Sequence, residues 1–322
     1  MWYNDITELV GNTPLVKLNR IVGNIGATVL AKLEFFNPGG SLKDRMAIYM
    51  LQEAEKKGEL KPGATIIENT SGNTGVGIGI YAAAKGYKTI FTIPDKMSQR
   101  KIDFLRAFGA EVIVCPTDVP YDSPESYYEV ANRIANETPN SYQLKQYHNL
   151  GNPESHYRST GPEIWDQTEG KVNYVIIGAG TGGTISGIGK FLKEKNADIK
   201  IIGVDPIGSL YYDYFKHKKL IEPNVYKVEG IGEDMLCKTM QFEFIDDMVQ
   251  VSDKESFLMA RRLLCEEGIF AGGSSGAVIY ASIEIAKTLT PDKLVVCVLP
   301  DTGYNYINKI YDDEWMKENG FI

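Results

Sequence analysis

Six short, largely β-branched runs punctuate this chain and set what it can fold into: TIIE (65–68), KTIFTI (88–93), EVIVC (111–115), VNYVIIG (172–178), IKIIGV (199–204) and KLVVCVL (293–299). Most are apolar nearly throughout instead of alternating, so both of their faces need cover. The stretches between them, such as Asp44–Lys57, Ser98–Phe108, Ser123–Ala135 and Lys254–Glu267, read as amphipathic helices. Parallel strands cannot be joined by a hairpin and need a crossover, which these helices supply. The pattern predicts an α/β protein of parallel sheets covered by helices. At 322 residues the chain has room for about two domains. The segment HNLGNPESHY breaks the periodicity with Asn, Gly and Pro, which places a boundary near Asn149–Pro153. Ligands of such sheets bind beyond the carboxyl ends of the strands, so the strand-to-helix loops are where chemistry is expected.

Composition narrows the classes. With 43% hydrophobic and 24% charged residues, the chain has the apolar content that disorder lacks. No run approaches the ~18–20 apolar residues of a membrane span. The start, MWYNDITELVGNTP, has neither a basic nor an apolar signal region, so a cytoplasmic protein is expected. A net charge of −8 repels phosphate backbones, which argues against nucleic acid as a partner. The four cysteines form no CxxC pair, and Cys115 and Cys297 fall inside strands as buried thiols. His148, His156 and His217 lack ligand spacing; surface or packing roles are expected, and no metal.

Three loops carry the chemistry. GAGTGGT (178–184) follows a strand and opens a helix, presenting free amides and the positive end of a macrodipole to a phosphate. It is neither a P-loop nor GxGxxG, since Ile185 follows Thr184 and Thr184 stands at the third glycine position. ENTSGNTGVGIGI (68–80) crowds Thr70, Ser71, Asn73 and Thr74 around Gly72 at another helix start, more hydroxyl and amide groups than a cap requires. A small carboxylate would use all of them. FFNPGGSLKDRMA (35–47) puts Lys43 in the first turn of a helix, where its charge opposes the macrodipole. A lysine depressed in pKa there suits Schiff-base chemistry. A lysine for an aldehyde, a neutral phosphate cradle and a carboxylate loop together describe an amino-acid site built on pyridoxal 5'-phosphate.

With GNTPLVKL (11–18), NPGGSLKDR (37–45), TSGNTG (70–75), GTGGT (180–184), EGIG (229–232) and GGSSG (272–276) in this order, the chain resembles the cystathionine β-synthase and cysteine synthase family. These are fold type II pyridoxal-phosphate enzymes. The resemblance implies two open, largely parallel sheets flanked by helices, as in tryptophan synthase β. It implies a large domain of residues 1–40 and 149–322 that binds the cofactor phosphate. It also implies a small mobile domain, 41–148, that carries the carboxylate loop. By the same resemblance Lys43 holds the cofactor and shuttles the α-proton, and Gly180, Thr181, Gly182, Gly183 and Thr184 hold the phosphate. Asn73 bonds the ring hydroxyl oxygen. Ser274 faces the pyridine nitrogen, where a neutral hydroxyl restrains the electron sink and favours chemistry at Cβ over transamination. Thr70, Ser71, Thr74 and Gln146 grip the substrate carboxylate, Tyr147 sits near the leaving group, and Gly230 and Glu233 border the entrance for the second substrate.

The implied activity is β-replacement on L-serine or L-cysteine through an aminoacrylate. An amino-acid thiol, L-homocysteine or L-cysteine, is the acceptor, giving cystathionine or lanthionine with release of water or hydrogen sulfide. YDSPESYYEVANRI, QYHNLGNPESHY and YKVEGIGEDM look closer to cystathionine β-synthase than to the plain cysteine synthases. Three departures stand out. The haem-binding amino-terminal extension and the carboxy-terminal regulatory module have no counterpart here, so neither haem nor an adenosyl-type effector is expected. Glu233 stands where cystathionine β-synthases usually have an aromatic. A homodimer is implied, with small amino acids and neither nucleic acid nor membrane as partners. The alternatives are a cysteine synthase using O-acetylserine and sulfide, a non-catalytic sensor, and a nucleotide-dependent oxidoreductase suggested by GAGTGGT alone.

Overall fold

The computed structural model describes every residue except Met1, Ser71, Lys96 and Ser98. Among the described residues the strands are β1 (Leu15–Lys17), β2 (Thr28–Leu33), β3 (Thr65–Asn69), β4 (Lys88–Pro94), β5 (Glu111–Cys115), β6 (Ser141–Gln143), β7 (Tyr174–Gly178), β8 (Lys200–Pro206), β9 (Asp247–Val251) and β10 (Leu294–Leu299). They form two open sheets. One has the order β1-β2-β10-β7-β8-β9 and the other β5-β4-β3-β6. Every pairing is parallel except β1 with β2. The predicted α/β class with two largely parallel sheets is what forms.

The chain divides into two compact units, Met1–Val10 with Asn37–Asn152, and Gly11–Phe36 with Pro153–Ile322. The first holds the four-stranded sheet. Its core is built from Ile66, Phe91 and Ile93 on the strands and Met46, Leu51, Ile78 and Tyr81 on the helices Lys43–Lys56 and Asn73–Lys85. The second holds the six-stranded sheet. Val295, Cys297 and Leu299 of β10 lie at its centre against Ala277, Val278 and Phe257 of the helices Gly273–Ala286 and Asp253–Glu267. Cys115 and Cys297 are buried in strands, as their apolar runs require, whereas Cys265 is exposed on a helix.

Four strands escaped the sequence reading, each for a local reason. β1 and β6 have three residues each. β9 (DMVQV) is an edge strand with partly exposed polar positions. β2 (TVLAKL) carries Lys32, which is fully buried and donates to Glu163 Oε2 at 2.6 Å, Thr13 O at 2.7 Å and Gln167 Oε1 at 2.9 Å. A lysine in a core position looks like a break until its partners are known. The helix expected from Ser123 begins at Tyr127, because Ser126 accepts from the Glu129 amide and acts as the cap.

The helices Asp253–Glu267 and Gly273–Ala286 approach each other at Gly276, where a Cβ would lie 1.9 Å from Ser256 O and 2.7 Å from Ala260 N. Both neighbours are backbone and cannot yield without moving a helix. Gly276→Ala is expected to lower the unfolding free energy by about 1–3 kcal/mol through overpacking, although alanine is the better helix former. Urea unfolding of both proteins measures it, and equal midpoints would contradict the packing argument.

Candidate active site

In the first unit, Lys43 is the first residue of its helix and is half-buried, with Ser41 Oγ accepting from its amide at 3.2 Å. Asp44 beside it is buried and accepts from the Gly39 amide, which fixes the Asn-Pro-Gly-Gly turn. The helix Asn73–Lys85 lies against this start. A Cβ on Gly77 would meet Ala47 Cβ at 3.0 Å, Asp44 Cα at 3.1 Å and Lys43 O at 3.2 Å. Glycine at 77 thus lets one helix start lie beside the other, and brings Lys43 near the loop of residues 70–74.

That loop follows β3 and turns through Gly72, whose φ is +135°. Thr70 Oγ1 accepts from the amides of Gly72 at 3.0 Å and Gly75 at 3.2 Å, which leaves its proton to donate elsewhere. Thr74 spends its proton on Gln146 Oε1 at 2.8 Å, and Gln146 Nε2 donates to Asn69 O at 3.1 Å. Each Nε2 carries two hydrogens, so Gln146 keeps a second one. The helix Asn73–Lys85 has Gly72 as its N-cap, with no capping side chain of its own, and Thr70 Oγ1 accepts from its Gly75 amide; such a helix start favours an anion. The Nδ2 of Asn69, buried at the end of β3, also has no acceptor among the described residues. Thr70, Thr74 and Gln146, three of the residues expected to take a carboxylate, thus lie at one strand end and helix start, with Asn73 opening the helix, while Ser71 lies outside the described residues. Tyr147 is buried, with its ring edge-on to Tyr128 at 5.7 Å.

Beneath this grip is a residue that the sequence reading missed. Glu68 is fully buried and accepts from the amides of Lys145 at 2.9 Å and Gln146 at 3.0 Å. Lys145 has φ +58°, a left-handed backbone uncommon outside glycine, and the carboxylate holds that turn in place. Burial raises the Glu68 carboxyl to about 7, against the lowering effect of the amides it accepts from.

In the second unit, β7 leads into residues 179–182 and the helix Gly183–Lys195. The glycines are required by close approach of other backbone. A Cβ on Gly180 would lie 2.6 Å from Gly230 O, and one on Gly182, with φ +86°, would lie 2.5 Å from Met240 Cα. No side chain among the described residues caps this helix either. Behind the loop, Thr239 Oγ1 donates to Thr181 O, Ser186 Oγ donates to Thr239 O at 3.0 Å, and His156 Nε2 lies 3.2 Å from Thr184 Oγ1. Gly180, Thr181, Gly182, Gly183 and Thr184 therefore form a rigid, uncharged loop at a helix start, which fits a phosphate group.

β10 is parallel to β7, so the residues after Leu299 emerge at the same end of the sheet as this loop. There Ser274, 1% exposed, lies in the first turn of the helix Gly273–Ala286. Next to it, Ser275 Oγ is buried with no partner among the described residues. The carboxylate of Asp301 accepts from Tyr306 OH at 2.7 Å. The group in the first turn of that helix is accordingly a neutral hydroxyl. Further along, Gly230 has φ +87°, and the Gly232 amide donates to Ala179 O at 2.6 Å, joining the EGIG loop to the glycine loop. Glu233 is half-buried, with its amide donating to Ser209 Oγ at 3.0 Å. Burial first, and then the Glu233 charge, raises the Cys237 thiol, and burial first, then Cys237 and Glu233, raises the Tyr211 hydroxyl well above its ordinary value. Both stay protonated.

The family model described as pyridoxal-phosphate dependent enzyme matches residues 6–301. The chain is 48% identical over 320 residues to a cystathionine β-synthase of Apis mellifera, covering 99% of this chain and 63% of that protein. It is 42% identical to a cysteine synthase of Staphylococcus aureus, covering 95% of this chain and 96% of that one. The chain spans about three fifths of the length of the curated cystathionine β-synthases it matches. Among solved structures, an O-ureido-L-serine synthase superposes with a TM-score of 0.89 at 30% identity, over 98% of this chain and 100% of its own. A hydrogen sulfide-producing enzyme of Fusobacterium nucleatum superposes with a TM-score of 0.87 at 34% identity, over 95% of this chain and 98% of its own.

Glu68 also makes stability depend on pH. Its carboxyl titrates at about 7 in the fold against an ordinary 4.5, so the folded state binds the extra proton and gains stability on the acid side. That gain is lost as pH rises through 7, and at ~1.4 kcal/mol per pKa unit it amounts to about 3 kcal/mol. Asp205, raised to about 7 by burial, acts in the same direction. Urea unfolding between pH 5.5 and 8 should show stability falling, and Glu68→Gln should flatten the slope by the share of one proton. An unaltered slope in the variant would disprove the assignment.

Proposed function

Because the chain belongs to the family of pyridoxal-phosphate-dependent enzymes, we propose that it performs β-replacement on L-serine or L-cysteine. The acceptor is an amino-acid thiol, L-homocysteine or L-cysteine, and the products are cystathionine or lanthionine with water or hydrogen sulfide. One observation carries this reading. The start of the Lys43 helix lies against the helix that opens with Asn73, so a lysine amine and a set of carboxylate-binding donors belong to one packed pair of elements. An α-amino acid needs that pairing.

When bound, pyridoxal phosphate supplies an aldehyde for the substrate amine and a ring that withdraws electrons from Cα. The protein's own groups do the rest. The Thr70 hydroxyl, the second Nε2 hydrogen of Gln146 and Thr74 at the helix start grip the α-carboxylate, with Ser71 assigned to the same grip. Lys43 Nζ takes the proton from Cα and returns it after the thiol has added at Cβ. Asn73 donates to the ring hydroxyl oxygen, and Tyr147 lines the side from which the β-substituent leaves. The glycine loop, with Thr181 and Thr184, holds the phosphate by amide and hydroxyl donors alone. Ser274 offers the ring nitrogen a hydroxyl, which does not force a proton onto it as a carboxylate would.

Gly230 and Glu233 are assigned to the acceptor entrance. The Glu233 carboxylate repels hydrosulfide and can pair with the α-ammonium group of an amino-acid thiol. A partly desolvated pairing of this kind is worth ~1–3 kcal/mol, roughly ten- to a hundredfold in specificity. A homodimer in the cytoplasm completes the proposal, supported by the exposed apolar side chains of Trp2, Tyr3, Ile6 and Leu9.

Mass spectrometry of products from serine or cysteine with homocysteine, cysteine or sulfide tests the substrate assignment. Product formed only from O-acetylserine and sulfide would replace it by cysteine synthase activity. Lys43→Ala should abolish turnover, because one amine both holds the cofactor and moves the proton; near-normal product would refute its role. Glu233→Ala should lower kcat/KM for amino-acid thiols about tenfold while leaving elimination from the first substrate intact. Equal loss in both half-reactions would sink the entrance assignment.

A further inference from the structure

The phosphate cradle has a residue behind it that no loop motif indicates. His156 is fully buried, with Nε2 3.2 Å from Thr184 Oγ1 and Nδ1 2.8 Å from the oxygen of Thr160, itself fully buried. Its seat is built into the helix that opens with the glycine loop. A Cβ on Gly187 would lie 2.1 Å from Pro153 O and 2.8 Å from His156 Cβ, so only glycine at 187 admits the histidine-bearing segment this closely.

The three groups form a chain that can run in either direction. A phosphate dianion presents only acceptors, so a threonine facing it must donate its single proton. Thr184 can do so only if its contact with the imidazole is one in which it accepts. Nε2 must then carry a hydrogen, and a neutral ring leaves Nδ1 to accept from the Thr160 hydroxyl. In the opposite direction Thr184 would turn its proton toward the ring and a lone pair toward the anion. An imidazole suits the task because its two nitrogens face apart on a rigid ring and bridge two hydroxyls with one fixed orientation.

We infer that His156 is a positioning residue for the cofactor phosphate: its Nε2–H donates to Thr184 Oγ1 and so directs the Thr184 proton to the phosphate. The inference rests on the phosphate-loop reading above. The relation parallels that between a metal-bound ligand and the outer group that orients it.

The test compares binding of pyridoxal phosphate with that of pyridoxal, which lacks the phosphate, to protein resolved of its cofactor. His156→Leu and Thr184→Ala should each weaken pyridoxal phosphate about tenfold and leave pyridoxal within twofold. The double variant should be no worse than Thr184→Ala alone, since both changes remove one hydrogen bond. His156→Gln, whose amide can donate from a similar position, should recover most of the loss. If His156→Leu weakens pyridoxal equally, or its loss adds to that of Thr184→Ala, the histidine is only packing and the inference falls. If Thr184→Ala alone has no effect, the phosphate-loop reading falls and takes the relay with it. An effect of Thr184→Ala without one of His156→Leu removes the relay alone. In the unmutated holoenzyme, nitrogen-15 NMR of the three histidines, with His156 assigned by its loss in His156→Gln, should show a protonated Nε2. A bare Nε2 would overturn the inference whatever the binding data.

Discussion

The six-stranded unit depends on backbone lying against backbone at the glycine loop. Gly178, Gly180 and Gly182 have no side chains because Ile231, the Gly230 carbonyl and Met240 occupy that space. The approach fixes where β7 ends, ties the EGIG loop to Ala179, and gives the helix Gly183–Lys195 a glycine N-cap with no side-chain cap among the described residues. An anion-binding helix start usually has to be kept clear of its own chain's capping groups. Here the loop is held from behind by Thr239, Ser186 and His156, so rigidity and openness do not compete.

The four-stranded unit solves a similar problem with a buried charge. The Glu68 carboxylate draws the amides of residues 145 and 146 inward and holds Lys145 in a left-handed conformation. Gln146 is thereby presented to Thr74 and to the backbone of Asn69. A buried carboxylate costs stability when ionised, and burial accordingly raises the Glu68 carboxyl to about 7. What is obtained in return is a set of donors around Thr74 and Gln146 held in fixed positions, which is the arrangement electrostatic recognition favours.

Both loops use neutral donors and helix starts in place of arginine or lysine. Lys43 is the cation that the NPGGSLKDR motif places at a helix start.

Sequence alone determined the α/β class, six of the strands, and where the three loops lie. Long apolar runs and glycine-rich turns are local signals whose physical meaning does not depend on distant residues. The family's order of motifs placed Lys43, Thr184 and Ser274 by number. Tertiary structure decided what those motifs could not encode. Lys32 reads as a break in a strand until Glu163, Gln167 and Thr13 surround it. Glu68 reads as an ordinary strand residue until two amides about 77 positions away in sequence turn toward it. His156 reads as one of three unremarked histidines until Gly187 lets it reach Thr184. In each case the partner is remote in sequence, and a buried polar group acquires a role only when folding supplies the hydrogen bond that makes its burial tolerable.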